Sequence, residues 1–479
     1  MSSRLTPYVC PEVDAYLREE EVLRSLIRTY GSPLNVVLPE VAFGNYQKFN
    51  ALFESLGVRS TVYLAAKANK SKAIARRMAF SGSSIDVASL GELSDALIAG
   101  FSGERIEATG PKNDEFLKSC VLHKVLINVD DIHELDRIEA LCSELIGPMH
   151  PVRVPIYIRL AIPRRITNRP DRFGVPPAEV AAAVARVRTS SYLLLKGFSF
   201  HFSTDKVSER VAMLNEALQT FIVYKKEQHP NFALTDIDIG GGYLINHLAS
   251  KTEWDEFIST LKASVLQGDQ TELTWNRSGL GFNVEGGKLR GSKSFSDYYQ
   301  PKNQFETLRE ILLSPFDDTG SPLADVLRDL GVRICIEPGQ SFFDQAGFTA
   351  AKIMHIKKTE HGQTLIVLDM NRTNINATDQ EYMPDPLVLF SKTDGSRDAV
   401  GEGFLVGNLC LPADFISRRK FFFGQPVSVG DVLLFMNTAP YLMDFSESTT
   451  LKQRVARKIA LVRRAEGVEW YEDENYIHL

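Results

Sequence analysis

The chain has 479 residues, of which 44% are hydrophobic and 24% are charged, and its formal net charge is −6. This composition is ordinary for a globular protein, and the basic residues form no arm or stripe, which argues against nucleic acid as a partner. The cysteines include no CxxC pair, which argues against a zinc ribbon. Neither a signal peptide nor a membrane-spanning apolar run is evident, so we expect a cytoplasmic protein that binds no membrane and no metal.

The first part of the chain alternates strands with helices. An amphipathic helix is predicted over residues 12–30, and a short strand over 32–39. Further strands are predicted over 61–66, 84–87, 105–109, 125–129, 152–160, 195–202, 235–239 and 332–336, with helices between them. Alternation with short loops predicts a parallel sheet with covered faces, and so many units in one run favour a closed α/β barrel over an open sheet.

The pattern changes in the second half of the chain. Residues 271–300 are rich in glycine and aromatic residues and are interpreted as an insert. From about residue 345 the pattern is that of strands, predicted over 350–357, 363–368, 427–435 and 455–462. We therefore predict three parts: an N-terminal helix and strand (1–39) that pack on the β domain, a barrel (40–344), and an all-β domain (345–479).

Lys67 follows an apolar strand, where a lysine is costly to bury. Burial lowers the pKa of a lysine and leaves a neutral amine, which is a nucleophile toward an aldehyde. The alternative is a lysine whose stem packs on the barrel while its amine reaches solvent.

Other polar residues follow other barrel strands, at the edge where barrel enzymes place their chemistry. Gly240, Gly241 and Gly242 allow backbone amides to approach an anion such as phosphate, although a glycine run also occurs in tight turns. His201 ends an apolar strand, where a structural histidine is the alternative. Glu337 is an acid on a buried strand and needs a cationic or protonated partner. An aldehyde, a phosphate, an aromatic ring and a ring nitrogen together match pyridoxal 5′-phosphate (PLP).

The chain resembles a known family at nine stretches that occur in the family's order. They are residues 65–69, 86–93, 109–112, 128–130, 172–174, 197–204, 238–242, 336–339 and 407–410. The sequence is similar to the fold-type III PLP-dependent decarboxylases, which include diaminopimelate, ornithine and arginine decarboxylases. The resemblance implies a (β/α)8 TIM barrel followed by a C-terminal β domain of the alanine-racemase type, and a homodimer with shared active sites.

The resemblance also implies roles for individual residues. Lys67 would hold PLP as a Schiff base, His201 would stack on its ring, and Glu337 would pair with the ring nitrogen. Cys410 would reach the active site of the partner subunit. The implied cofactor-binding set is Lys67, Asp86, Arg172, His201, Thr204, Gly240, Gly241, Gly242, Glu337, Gly339, Gln340 and Tyr441, and the implied catalytic set is Lys67, Cys410, Glu337 and His201.

The residue types favour decarboxylation over the alternatives. A carboxylate beside the ring nitrogen keeps that nitrogen protonated, and a protonated ring accepts the electron pair left at Cα when carbon dioxide leaves. A thiol such as Cys410 can return a proton to Cα, although a buried apolar cysteine is the common alternative. A PLP-dependent racemase or epimerase, and a non-catalytic PLP-binding protein, remain open as alternatives.

Departures from the family bear on the substrate. The family's arginine at position 340 is Gln340 here, which removes a cation from near the phosphate. Diamine-forming members carry an acid where this chain has Leu411, so a distal ammonium group would lack a countercharge there. We therefore expect an amino acid, or an amino-acid conjugate, with a neutral or acidic tail. The substrate-binding candidates are Arg372, Asp385, Leu411 and Asp414, with Arg418 and Arg419 as further cations that could face the pocket.

Overall fold

The structure is a computed structural model, and it describes residues 3–145, 153–268, 272–376, 381–391 and 399–478. The strands are β1 (Leu34–Val37), β2 (Arg59–Ala65), β3 (Ser84–Val87), β4 (Ile106–Ala108), β5 (Leu126–Val129), β6 (Val154–Arg159), β7 (Leu193–Ser199), β8 (Phe232–Asp238), β9 (Phe282–Glu285), β10 (Lys288–Gly291), β11 (Arg333–Ile336), β12 (Gly347–Lys358), β13 (Thr364–Leu368), β14 (Leu387–Leu389), β15 (Val400–Val406), β16 (Phe421–Val427), β17 (Val432–Phe435), β18 (Arg457–Arg464) and β19 (Gly467–Glu472).

The helices alternate with these strands through the first half of the chain. They are α1 (Pro11–Leu17), α2 (Glu20–Tyr30), α3 (Pro39–Ser55), α4 (Lys72–Phe80), α5 (Leu90–Ala99), α6 (Asp114–His123), α7 (Ile132–Leu145), α8 (Arg164–Thr167), α9 (Val180–Thr189), α10 (Val207–Lys225), α11 (Lys251–Leu266), α12 (Gln304–Leu313) and α13 (Leu323–Asp329). In the part of the chain that the structure describes, no helix is long and apolar enough to cross a bilayer.

Eight strands close into a parallel barrel in the order β11-β2-β3-β4-β5-β6-β7-β8. Strand β2 pairs with β3 on one side and with β11 on the other, and its residue Ala65 lies opposite Asp86 of β3. All eight strands were predicted from the sequence, and the barrel is confirmed. Because the strands are parallel, the residues that follow them lie at the same end of the barrel.

A second, all-β sheet follows the barrel in the order β16-β15-β13-β12-β1-β18-β19, with β17 and β14 joined through β12. The early strand β1 lies inside this sheet, antiparallel to β12 and parallel to β18. The predicted fold class, a barrel with an all-β domain, is therefore confirmed. The exact division at residues 39 and 344 stays a prediction.

Some predicted elements differ from the observed ones. The predicted helix over 12–30 is two helices, because the chain leaves helical geometry at Glu19. The predicted strand over 427–435 is two strands, β16 and β17. A turn separates them, in which the Ser428 amide donates to the Asp431 carboxylate at 2.8 Å.

The predicted insert over 271–300, of which residue 271 lies outside the described residues, contains the antiparallel pair β9 and β10. Its residues Leu280, Phe295 and Tyr298 are buried against Trp254 and Phe257 of α11, and together they form a small apolar cluster. The aromatic residues of the insert thus have a packing role.

Candidate active site

Lys67 lies at the end of β2, in a short turn over Ala66–Ala68. Its Nζ atom is 3.3 Å from Oδ2 of Asp86 and 3.9 Å from Oε2 of Glu337. The pairing of β2 with β3 and β11 places these two acids beside the lysine, because each follows or ends a neighbouring strand. The lysine side chain remains 31% exposed, so its amine is accessible.

The prediction that the pKa of the Lys67 amine is lowered was wrong. Burial alone would lower the pKa of the Lys67 amine, but the negative charges of Asp86 and Glu337, with Tyr441, outweigh burial and raise it. In the protein without cofactor, the amine is therefore held as an ammonium ion between two carboxyl groups.

Buried carboxyl groups line the barrel below the lysine. Glu107, Asp238 and Glu337 each present an oxygen within 4.8 Å of one another. Burial, together with neighbouring acids, raises the pKa of Glu107 and of Glu337 well above the usual range, and burial raises the pKa of Asp238 to about 7. One oxygen of Glu107 and one of Asp238 have no partner among the described residues. The cluster therefore retains protons near neutral pH, because so many close negative charges cannot all be ionised.

His201 lies at the end of β7 and is held in one orientation by the backbone. The Gly241 amide donates to its Nδ1 atom at 2.9 Å, so Nδ1 is unprotonated. Burial, and then the charges of Lys67, Arg159 and Arg210, lower the pKa of His201 well below the usual range. The imidazole is therefore neutral, which suits a ring that stacks on an aromatic group.

Positions 240 and 241 require glycine, because neighbouring atoms lie too close to the backbone there to leave room for a Cβ atom. A Cβ atom on Gly240 would lie 2.4 Å from Nδ1 of His201, and one on Gly241 would lie 2.1 Å from the Glu337 carbonyl oxygen. The Gly240 amide donates to Asp238 at 2.7 Å, while the Gly241 amide is used by His201. Two of the three amides that the sequence predicted for an anion are therefore engaged within the protein.

The β domain closes over the lysine turn. The Tyr441 amide donates to the Ala68 carbonyl at 2.9 Å, and the Asn69 side-chain amide donates to the Ala439 carbonyl at 2.9 Å. Tyr441 adopts a φ of 65°, which is uncommon for a residue other than glycine and typical of strained functional positions. A Cβ atom on Gly339 would lie 2.2 Å from the Tyr441 hydroxyl. The hydroxyl is thus held beside the turn that follows Glu337.

Two buried cations border this site, and neither was predicted from the sequence. Arg159 ends β6, pairs with Asp130 at 3.2 Å, and stacks on the Phe173 ring with its guanidinium carbon 4.5 Å from the centroid. Its charge lowers the pKa of His201. Arg210, on α10, is only 3% exposed. A cation at the end of an apolar strand, as at Lys67, is the sequence signal that would have indicated Arg159.

Three predicted cofactor-binding residues have other contacts in the structure. Arg172 is exposed and stacks on the Phe173 ring, with its guanidinium carbon 4.3 Å from the centroid. The Thr204 hydroxyl donates to Glu209 at 2.7 Å, which fixes the start of α10. Gln340 lies 3.3 Å from Nε2 of His247. These are the contacts of the three side chains in the structure, and their predicted roles in cofactor binding stay predictions.

Asp385 and Arg419, predicted near the substrate, form a buried ion pair instead. The Asp385 carboxylate also accepts the Leu5 amide at 2.7 Å and the Phe422 amide at 3.3 Å. The Asp385 oxygens are thus occupied by the protein, because a buried acid needs such partners, and its predicted role in substrate binding stays a prediction.

Asp414 and Arg418 likewise have structural contacts. Asp414 accepts the backbone amides of Arg372 at 2.9 Å and Leu409 at 2.8 Å, so it organises the loop that carries Cys410. The Arg418 side chain donates to Glu381 at 2.6 Å. The predicted substrate role of Asp414 is therefore indirect at most, through this loop.

Cys410 and Leu411 lie at the surface of the single chain. The Cys410 thiol is exposed, and Leu411 is 47% exposed. An exposed apolar residue beside a free thiol is consistent with a segment that is completed by another surface.

An accessible amine between acids, beside a glycine turn at the end of a parallel barrel, suits a cofactor that carries an aldehyde, such as PLP. Residues 45–274 match the model of the pyridoxal binding domain of pyridoxal-dependent decarboxylases. Over 443 residues the chain is 28% identical to an uncharacterized protein of Sinorhizobium fredii, which covers 91% of this chain and 89% of that protein.

Two further relatives carry named activities. The chain is 26% identical over 233 residues to the 2-[(L-alanin-3-ylcarbamoyl)methyl]-2-hydroxybutanedioate decarboxylase of Staphylococcus aureus, covering 46% of this chain and 57% of that enzyme. A solved structure of diaminopimelate decarboxylase from M. jannaschii shares the fold with a TM-score of 0.67 at 19% identity, covering 93% of this chain and 90% of that one. The chain is therefore similar to the PLP-dependent decarboxylases, most clearly in its barrel, and this similarity supports PLP as its cofactor.

Proposed function

We propose that the protein decarboxylates an amino acid or an amino-acid conjugate whose tail is neutral or acidic. The observation that carries the proposal is the position of the Lys67 amine, 3.3 Å from Asp86 and 3.9 Å from Glu337, at the mouth of the barrel. The amine is accessible and lies beside acids that can take up its proton, so once deprotonated it can attack an aldehyde.

The residues present fit PLP on two features of the structure. The turn at Gly240 and Gly241 packs directly against His201 and Glu337, so it fixes the backbone beside two of the groups proposed to hold the cofactor. The donor set also matches: an amine, a neutral imidazole for the ring face, and a carboxyl group for the ring nitrogen. We propose that Lys67, His201, Glu337 and Tyr441 hold the cofactor.

When bound, PLP supplies an electron sink for the pair left at Cα as carbon dioxide departs. Glu337 would serve this chemistry as the carboxylate that pairs with a protonated ring nitrogen, and that positive charge would lower the Glu337 pKa that burial and the neighbouring acids raise. Asp86 would hold one side of the Lys67 ammonium. Arg159, whose charge lowers the pKa of His201, would add a positive charge beside that ring.

We further propose that two copies of the chain share their active sites. Support comes from Cys410 and Leu411, which are both exposed on the single chain. The Cys410 thiol of one subunit would return a proton to Cα in the site of the other. Leu411 beside it would meet the tail of the substrate with an apolar, uncharged surface.

The proposed substrate class is supported by Leu411 and by one relative. The staphylococcal enzyme is named for an amino-acid conjugate of a hydroxybutanedioate, which carries carboxylate groups. An acidic tail suits a pocket without an acid at position 411, because burying an ammonium group there without a countercharge would cost several kcal/mol.

Carbon dioxide release from a substrate panel tests the proposal. The panel contains lysine, ornithine and diaminopimelate on one side, and amino acids and conjugates with neutral or acidic tails on the other. We expect release only from the second group. The Leu411→Asp variant should gain activity toward the diamino acids, whereas Leu411→Asn, its uncharged control, should not.

Ordinary decarboxylase efficiency with lysine or ornithine would contradict the proposed substrate class. Racemised amino acid without carbon dioxide would contradict decarboxylation itself. Borohydride reduction should fix PLP on the peptide that contains Lys67, and label on another lysine would refute the assignment of the amine.

A further inference from the structure

Arg210 is a buried cation without a buried anion. Its side chain is only 3% exposed, and its Nη2 atom donates to the carbonyls of Gly242 at 2.7 Å and Phe202 at 3.2 Å. Its Nε atom has no partner among the described residues. Neutral carbonyls do not compensate a buried guanidinium, because a buried charge requires an opposite charge or a full set of hydrogen bonds.

The surroundings of Arg210 supply no acid. Its guanidinium carbon lies 5.0 Å from the centroid of the Tyr243 ring and 5.7 Å from that of Phe202. Within the described ranges no carboxylate forms an ion pair with it, and burial lowers its pKa, countered only by Tyr243. The site therefore calls for an anion that is not part of the chain.

The position of Arg210 indicates where this anion binds. A Cβ atom on Gly242 would lie 2.8 Å from Nη2 of Arg210, so the guanidinium is packed against the glycine turn. The same cation lowers the pKa of His201, which follows the neighbouring strand. The guanidinium thus packs against the backbone of the glycine turn.

Several of the other donors predicted for the phosphate are engaged within the protein. The amides of Gly240 and Gly241 donate to Asp238 and His201, and the Thr204 hydroxyl donates to Glu209. Gln340 is uncharged and is positioned beside His247, whose pKa burial lowers to about 4. No cation is therefore supplied at position 340.

We infer that Arg210 binds the phosphate group of PLP at the glycine turn, and that this arginine provides the positive charge that Gln340 does not. The inference rests on the proposed function of this site. A guanidinium suits the role because it presents several donors in one plane to phosphate oxygens. Its two bonds to the carbonyls of Phe202 and Gly242 hold it in place before the anion arrives, which reduces the entropy lost on binding.

The test compares PLP with pyridoxal, which lacks only the phosphate group. Both are titrated by absorbance into the full-length chain after the cofactor has been stripped from it, and the measured quantity is the ratio of the two dissociation constants. In Arg210→Gln this preference for PLP should fall by roughly 10- to 100-fold, the value of a charge-assisted hydrogen bond. Affinity for pyridoxal should stay within about twofold, since pyridoxal makes no contact with Arg210.

Three further variants sharpen the result. Arg210→Lys keeps the charge but loses the planar donors, so its preference should fall less than in Arg210→Gln and still below that of the wild type. Gln340→Arg, added to Arg210→Gln, should restore part of the preference. Arg188→Gln removes an arginine of α9 that pairs with Glu227 at 2.6 Å, and it serves as the control that should change nothing.

An unchanged preference in Arg210→Lys or Arg210→Gln, whichever variant folds, would overturn the inference. Equal losses of PLP and pyridoxal affinity would also overturn it, because they would show that Arg210 only ties α10 to the turn. A wild-type chain that binds no PLP would refute the proposed function, and the inference with it. If the wild-type chain binds PLP but the Arg210 variants keep its preference for PLP over pyridoxal, the inference about Arg210 is refuted and the proposed function stands.

Discussion

The charge of Asp86 controls the protonation of the Lys67 amine, and its removal should make the lysine more reactive. At the observed separation of 3.3 Å, an ion pair at an effective dielectric constant of 20 is worth about 5 kcal/mol. Asp86→Asn removes this attraction and leaves Glu337, at 3.9 Å, as the remaining acid. The pKa of Lys67 should therefore fall, because the ammonium form loses its nearest countercharge.

The sign of the pH dependence follows from the raised pKa. The amine must lose its proton before it attacks an aldehyde, so capture of PLP by the wild-type chain should accelerate as the pH rises toward the pKa of Lys67. In Asp86→Asn the same rate should be reached at lower pH. Each ~1.4 kcal/mol of the lost attraction corresponds to a tenfold larger fraction of free amine at neutral pH.

The assay traps PLP on Lys67 with borohydride at timed intervals, over a pH series, with saturating PLP and the full-length stripped chain. Mass spectrometry then quantifies the labelled peptide. The control is Thr109→Val, which removes the hydrogen bond that the Thr109 hydroxyl donates to Asp86 at 2.5 Å but keeps the charge. Capture in Asp86→Asn that is no faster than in Thr109→Val at neutral pH would refute the reasoning.

Two further variants test other parts of the description. Glu337→Gln should leave PLP bound but raise the barrier to carbon dioxide loss by about 2–4 kcal/mol, the usual size of a key electrostatic contact. Near-normal single-turnover rates in this variant would show that another group holds the proton on the ring nitrogen. Asp385→Asn should reduce the free energy of unfolding in urea by about 3–5 kcal/mol, because it leaves Arg419 buried without its countercharge. Asp14→Asn, which breaks an exposed pair, is its control and should cost under about 1 kcal/mol. A similar small loss in Asp385→Asn would mean that its carboxylate is available for substrate after all.

The barrel could be predicted because each of its strands is an apolar run bounded by turn residues. Its parallel pairing then follows from the helices between the strands. The boundaries of the β domain were harder, since a turn such as that at Asp431 interrupts an apolar run without a strong sequence signal. The sequence also missed β14, β15, β19 and nearly all of β16. Of these, β14 is only three residues long, too short for a pattern of alternation.

Site residues could be predicted from the sequence only where the residue type and its position at the end of a strand together indicate the chemistry. Lys67, His201 and Glu337 end or follow strands, so their convergence follows from the barrel. Electrostatics could not be predicted in the same way: the pKa of Lys67 depends on distances to two acids on other strands. Arg210 lies inside a helix, where an arginine in the sequence looks like an ordinary surface charge.

The contact between the lysine turn and the β domain has a consequence for synthesis. Asn69 and Ala439, which hydrogen-bond across this contact, are separated by 370 residues in the chain. The barrel strands emerge from the ribosome well before Tyr441, which is tied to Ala68. Domains fold as they emerge, so a nascent barrel would present Lys67 without its cover. A truncated chain would have the Lys67 amine but not the part of the pocket that the β domain supplies. Only the full-length protein would therefore retain the cofactor tightly.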